Sequence, residues 1–174
     1  MQNLMTKFFW WWGWDSSKME KMLEDMALSG WHLYHVDWMG IRFSFQKGEP
    51  LKVRYCADYQ PAIDGDYLSI YQDAGWQMKW TGANGWYLWA KSYEGEKPEI
   101  FTDTTSLIDR NNRLIKVLKP LFIMLLILFV ILLSTQVEAF RPLVALYVAI
   151  IALYTFIFYQ VYTHNQKLKD NIKE

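Results

Sequence analysis

A unit of about 45 residues is written twice in the first ninety-odd positions of this chain. Sliding the sequence by that period lays Lys7 on Lys52, Trp10 on Tyr55, Trp14 on Tyr59, Met26 on Tyr71, Gly30-Trp31 on Gly75-Trp76, Gly40 on Gly85 and Phe43 on Leu88. Repetition at a fixed period defines the folding unit before any residue preference is weighed. Whatever one copy folds into, the other should fold into as well, and the two must then share a core.

Each copy reads as a strand, a helix and two further strands joined by a turn. In the first copy, the aromatic run Phe8 to Trp14 suits a pleated surface. Asp15-Ser16-Ser17 with Glu20 offers a helix start of capping-box type. Met19, Met22, Leu23, Met26 and Ala27 then fall on one helical stripe, and Gly30 ends it. Strands follow at Trp31 to Asp37 and Ile41 to Gln46, turning at Gly40. The second copy runs Lys52 to Tyr59, a helix through Tyr67, Ile70, Tyr71 and Ala74, a stop at Gly75, and strands Trp76 to Thr81 and Trp86 to Lys91. Asn84-Gly85 between them is a strong hairpin signal.

One such unit leaves strand edges and half a core exposed. The sequence therefore predicts an α+β domain of duplicated β-α-β-β units (about 7–51 and 52–96, within 1–98) sharing one mainly antiparallel, six-stranded sheet, with both helices on one face. Alternation assigns Trp31, Leu33, Ile41, Phe43 and Phe45, and in the second copy Trp76, Met78, Trp86, Leu88 and Ala90, to the core. The opposite face would carry Trp11, Tyr34, Trp38, Tyr87 and Trp89 among Arg42, Arg54 and Asp58. Such aromatic exposure marks a surface for a protein partner or an amphiphilic ligand, though a second core layer, a homodimer contact or packing on a membrane would use the same residues. Trp11, Tyr34, Trp38, Arg54, Asp58, Tyr87 and Trp89 are the expected surface. All ten tryptophans lie in this repeated region.

Beyond a connector at 99–116, amphipathic over Ser106 to Lys116, two apolar stretches follow: Val117 to Thr135, broken only by Lys119 and Pro120, and Leu143 to Val161, which carries no charge. At about 1.5 Å per residue each nearly matches the roughly 30 Å hydrocarbon core. The link from Gln136 to Pro142 is short, so the spans form a hairpin in the lipid bilayer, followed by a tail at 162–174. Arg110, Arg113, Lys116 and Lys119 precede the first span and Lys167, Lys169 and Lys173 follow the second, against Arg141 alone between them. The expectation is a bacterial cell-membrane protein of two spans with both termini cytoplasmic.

Charge agrees with that division. Residues 1 to 110 hold 11 Lys and Arg against 15 Asp and Glu, and the remainder 7 against 3, so the repeated region is acidic and has no nucleic-acid-binding character. Cys56 is the only cysteine, which excludes an internal disulfide. The aromatic N-terminal run lacks a cleavage pattern and should remain in the mature protein.

The segment Met22-Leu23-Glu24-Asp25-Met26-Ala27-Leu28-Ser29-Gly30-Trp31-His32-Leu33, with Phe43 to Pro50 and Asp73-Ala74-Gly75-Trp76, resembles a widespread bacterial family of uncharacterised membrane proteins. That family carries a Gly-Trp-repeat domain of unknown function. It is common in Firmicutes and often encoded near PadR-like regulators. The resemblance covers about residues 5 to 95; it implies C-terminal membrane spans and supplies no catalytic residues. In unit order alone the chain is similar to tandem ligand-binding modules of the gyrase-inhibitor and multidrug-regulator effector type, which hold lipophilic cations in an aromatic cleft with an acidic group. Asp58 and Asp37 are the candidates for that acid.

No catalytic or metal-binding motif appears, and no cofactor is expected. His32, His35 and Asp37 form the one cluster inviting acid-base chemistry, but strand alternation separates His32 from the other two. The alternative to a non-enzymatic sensor or accessory protein is a membrane-bound enzyme using His35 and Asp37 on a lipid-like substrate. No base is placed against Cys56 by any local motif, and Gly82-Ala83-Asn84-Gly85 joins two strands rather than leading into a helix as a phosphate loop must.

Overall fold

The computed structural model describes residues 3–62, 65–82, 85–100, 104–134 and 141–170. Asn84 of the hairpin signal, Thr135, Gln136 to Phe140 of the link, and Lys173 lie outside the described residues. The elements run β1 (Leu4–Phe8), α1 (Ser17–Leu28), β2 (Trp31–Val36), β3 (Arg42–Lys47), β4 (Val53–Tyr59), α2 (Gly65–Asp73), β5 (Gln77–Thr81), β6 (Trp86–Ser92), α3 (Thr104–Ser134) and α4 (Arg141–Asp170). The order is the β-α-β-β plan twice over, then two long apolar helices, an α+β protein. The chain divides into a unit of residues 1–106 and a unit of residues 107–174.

Duplication is visible in the strand pairing. The first copy forms an antiparallel sheet in the order β1-β3-β2 and the second repeats it as β4-β6-β5. Both outer ladders carry a bulge at the same step: Tyr34 is the extra residue between Leu33 and His35, and Lys79 the extra residue between Met78 and Trp80. Positive φ recurs at Gly30 and Gly75, which end the helices, and at Gly40 and Gly85 in the hairpins. Each helix end also receives a lysine: Lys47 Nζ donates to the Ser29 carbonyl at 2.9 Å and Lys91 Nζ to the Ala74 carbonyl at 2.8 Å. A cation there satisfies carbonyls that the helix leaves unpaired.

The strands form two three-stranded sheets, not the single six-stranded sheet expected from the sequence. Nor do both helices cover one face. In the first copy α1 lies on Phe43, Phe45 and Val36, and the same cluster takes in Val53, Tyr55, Ala57, Leu88 and Ala90 from the second sheet. On the other face of that second sheet, Tyr67 of α2 packs with Cys56, Trp76 and Trp89, and Leu68 and Tyr71 lie against them. The second sheet is therefore covered on both sides.

A one-residue difference in loop length decides which residues of β6 face α2. Bulge for bulge, Leu33 facing Phe45 corresponds to Met78 facing Trp89, and Met5 facing Phe45 corresponds to Cys56 facing Trp89. Phe45 and Trp89 are 44 apart rather than 45, because the second hairpin is one residue shorter. A slip of one residue turns every side chain of a strand to the opposite face. Trp89 thereby takes the place under its own helix that Phe45 holds in the first copy, and Leu88 and Ala90 face the shared core. Met78, expected in the core, is exposed.

The first strand also differs from expectation. β1 is Leu4–Phe8, and the aromatic run after it bends into a loop closed by a bridge between Trp12 and Asp15. The capping box is not made either: with Ser16 as the N-cap, Glu20 lies one residue past the box position, and its carboxylate accepts from the Ser16 hydroxyl. Asp15 Oδ1 instead accepts from the Ser17 amide at 3.2 Å.

Gly30 shows how tightly the first copy is closed. A Cβ there would lie 2.6 Å from the Gly48 carbonyl oxygen, at φ +76°, while the Gly48 amide donates to the Gly30 carbonyl at 2.8 Å. Backbone meets backbone, so neither can yield cheaply. Gly30→Ala should destabilise the protein by about 2 kcal/mol, read as a lower thermal midpoint of the detergent-solubilised chain followed by tryptophan fluorescence.

The second unit is an antiparallel helical pair. Half-buried residues recur at heptad spacing on α3 (Leu118, Phe122, Leu125, Phe129, Leu132) and α4 (Tyr147, Ile151, Tyr154, Phe158), forming a coiled-coil-like seam. Phe122 stacks on Tyr154 at 5.7 Å and Phe129 on Tyr147 at 6.2 Å. In the same register Asn111 Nδ2 donates to Asn165 Oδ1 at 2.8 Å, both buried. Such a polar layer holds one register against slippage. Away from the seam the surface is Leu, Ile, Val and Met, largely exposed. The two helices, with mean hydropathy 2.8 and 2.1 over their most apolar segments, are long and apolar enough to cross a membrane.

Candidate functional site: an aromatic groove between two edge strands

The residues expected on one surface are distributed among three environments. Trp89 is fully buried, stacked 4.7 Å from Tyr71, and its Nε1 donates to the Tyr67 hydroxyl at 3.2 Å. Asp58, 2% exposed, lies in the same cluster and accepts from the Tyr67 hydroxyl at 3.0 Å and the Tyr59 amide at 2.7 Å. Burial, together with the Asp58 carboxylate, pushes the Tyr67 hydroxyl well above the ordinary tyrosine range. Tyr87 borders this cluster, edge-on to Tyr67.

Arg54 occupies a second environment. It reaches from β4 to α1, with Nη1 2.8 Å from Glu24 and 3.0 Å from Glu20, and Nη2 2.8 Å from Glu99. Burial acts to lower its pKa, but the carboxylates of Glu99, Glu20 and Glu24 outweigh this and raise it. Glu20 further accepts from Ser16 Oγ at 2.7 Å and the Ala57 amide at 3.0 Å. The cluster joins the first copy's helix to the second copy's first strand. No sequence pattern pointed to it, since Glu20 reads there as a cap.

Tyr34 and Trp38 remain exposed, at 66% and 72%. They flank a groove of about 450 Å³ between β2 and β5, whose other wall is Met78, Lys79 and Trp80. Tyr34 and Lys79 are the two bulge residues, so the bulges face each other across the groove. Bulges re-aim side chains out of the regular alternation, which is why Leu33 and Val36 both pack inward while Tyr34 and His35 are exposed.

The rim carrying Trp38 is firmly held. The Gly40 amide closes the turn on the Asp37 carbonyl at 3.0 Å. Trp80 Nε1 donates to that same carbonyl at 2.8 Å and Trp11 Nε1 to the Gly40 carbonyl at 2.7 Å. Trp11, expected on the open surface, is therefore a clamp, edge-on to Trp86 at 4.9 Å. Asp37 Oδ1 accepts from the amides of Ile41 and Arg42 at 2.9 and 2.8 Å. Slight burial acts to raise its pKa, but the bonds from Arg42 and Ile41 prevail and lower it. A carboxylate so engaged fixes a turn and makes a poor proton acceptor.

Chemically the groove offers aromatic and thioether walls, the Lys79 ammonium and the His35 imidazole; among the described residues none of its lining side chains is a carboxylate. Met78, Lys79 and Trp80 escaped sequence reasoning because their placement depends on the bulge, which only strand register reveals. Among the described residues no group of three or more His, Cys, Asp or Glu could hold a metal ion. His32 hydrogen-bonds the Glu49 carbonyl at 2.7 Å, and Cys56 is buried under α2.

Fold and groove together define a class: a tandem β-α-β-β module with an aromatic groove at its edge strands, joined in one chain to an apolar helical pair. The chain belongs to the family described as protein of unknown function (DUF2812), whose model matches residues 15–126. The match runs from the approach to α1 through both copies and into the apolar stretch of α3. No curated protein and no solved structure matches the chain.

Proposed function

We propose that this chain is a non-enzymatic sensor or accessory protein of the bacterial cell membrane. In this reading α3 and α4 cross the bilayer with both termini cytoplasmic, and the tandem module binds an amphiphilic ligand in the β2–β5 groove. The observation that carries the reading is the groove itself. Its volume falls within the range of small-molecule sites, and Tyr34 and Trp38 stand exposed on a scaffold held by indole hydrogen bonds.

The lining selects the ligand's charge. With the Lys79 ammonium and no carboxylate among its described lining side chains, the groove suits an anionic head and an apolar tail better than the lipophilic cation that unit order alone would favour. Asp58, the acid a cation site would use, lies buried under α2. For orientation, the support is the excess of Lys and Arg at the α3 start and α4 end over the single Arg141 between the helices.

The test is a titration of the full chain in lipid nanodiscs with octanoate and, separately, octyltrimethylammonium, reading tryptophan emission. Octanoate should give a saturable change that the ammonium does not. Lys79→Ala should weaken it about tenfold, the loss of one charge-assisted hydrogen bond, and Trp38→Ala should abolish most of the signal. Responses that do not saturate, or that are the same in both variants as in the parent, would refute the groove as the site.

A further inference from the structure

A second feature lies at the end of the first sheet and shares only Trp38 with the groove. Phe8 ends β1 and Trp10 follows it, and Met39 shares with Trp38 the tip of the β2–β3 turn. Their exposures are 75%, 62%, 53% and 72% respectively. The two segments are adjacent: Phe8 pairs with Arg42, the Phe9 amide donates to the Ile41 carbonyl at 2.9 Å, and Trp11 Nε1 bonds Gly40. Four large apolar side chains thus stand exposed on two adjacent segments tied together by hydrogen bonds. Soluble surfaces scatter such residues singly and do not gather them at a fixed point.

We propose that this tip inserts into the headgroup and acyl boundary of the bilayer, making the module a membrane-surface reader and not only a tethered one. Three observations select lipid as the occupant. Phe8, Trp10 and Met39 are exposed and do not line the groove, and a bilayer accommodates such side chains without a recess. Its residues are tryptophan, phenylalanine and methionine, and amphipathic aromatic rings partition to the interface. Arg42 is exposed beside Phe8 and offers a cation to lipid phosphate. The tether adds to this. Residues 93–103 join β6 to α3, and such a linker spans at most about 37 Å, so a bilayer crossed by the apolar helices is always present at high effective concentration.

All ten tryptophans belong to the repeated region, so quenching of tryptophan emission by brominated lipid reports on that region alone. The full chain is reconstituted in vesicles of phosphatidylcholine and phosphatidylglycerol, with and without bromine near the headgroup end of the acyl chains. The parent should be dimmer in brominated vesicles. The Trp10→Phe/Trp38→Phe double variant should lose most of that difference, and Phe8→Asp/Met39→Asp should reduce it while leaving the octanoate titration unchanged, since neither residue lines the groove. Equal emission in both vesicles, or quenching that neither double variant alters, overturns the proposal. Quenching unaltered while Phe8→Asp/Met39→Asp abolishes self-association would also overturn it, assigning the tip to a second copy of the chain. Should the aspartate variant fail to fold, the phenylalanine pair still decides.

Discussion

Arg54→Met should destabilise the amino-terminal unit by about 3 kcal/mol, near the lower end of what breaking a buried ion pair costs, because its partners retain other bonds. The Arg54 side chain is 12% exposed, against 9% for Glu20 and 15% for Glu24. Methionine fills much of the same volume, so the loss is electrostatic: two carboxylates of α1 remain in poorly solvated positions. Glu24 keeps Lys97 at 2.8 Å, and Glu20 keeps Ser16 and the Ala57 amide. The check is thermal unfolding of the solubilised protein. Adding Glu20→Gln and Glu24→Gln to the Arg54→Met background should recover a large part of the loss, since amides strand no charge. If the triple variant is no more stable than Arg54→Met alone, the side chain acts through packing and not through its charge. Arg54 is thus the joint between copies: it holds the helix of one against the opening strand of the other.

That joint explains why much of the plan could be read from the sequence and some could not. Features fixed by local chemistry were legible. The stripe Met19, Leu23, Met26 and Ala27 became the buried face of α1, the glycines that end the helices have the left-handed φ their positions require, and both apolar runs became long helices. Features fixed by loop length were not. The run Phe8 to Trp14 has the composition of a strand, yet beyond Phe8 it loops, with Trp11 clamping a turn. The period of 45 holds from the helix ends to the bulges; beyond them the shorter second hairpin displaces β6 by one residue. Since a strand's faces alternate at every residue, that single deletion put Trp89 and Tyr87 toward α2 and not on an open surface, while Leu88 and Ala90 lie in the core as expected. The groove suffered in the same way: Tyr34 and Trp38 were identifiable as aromatic, but Lys79 and Trp80 oppose them only because both copies carry the bulge. The heptad seam of the helical pair was in the sequence as well, but it was masked by residues apolar on every side.

The opposite roles of two tryptophans give the sharpest separation of fold from function. Trp89→Ala should cost about 3–5 kcal/mol, as expected for deleting a large buried aromatic. Trp89 is 0% exposed and stacks on Tyr71, and its indole N–H bonds the Tyr67 hydroxyl. Its removal opens a cavity beside the buried Asp58 and takes away the donor that holds the Tyr67 hydroxyl. Trp38→Ala, at an exposed turn position, should change stability by no more than about 0.5 kcal/mol, because the turn is closed by Gly40, Trp80 and Trp11 without any contribution from the Trp38 ring. Thermal midpoints of the two variants, measured side by side with octanoate titrations, should therefore dissociate: Trp89→Ala lowers the midpoint and still binds at temperatures where it is folded, whereas Trp38→Ala keeps the midpoint and loses binding. Were Trp89→Ala to leave the midpoint unchanged, α2 would not be packed on the second sheet through this ring. The assignment of Trp89 as the counterpart of Phe45, and with it the one-residue displacement of β6, would fall too.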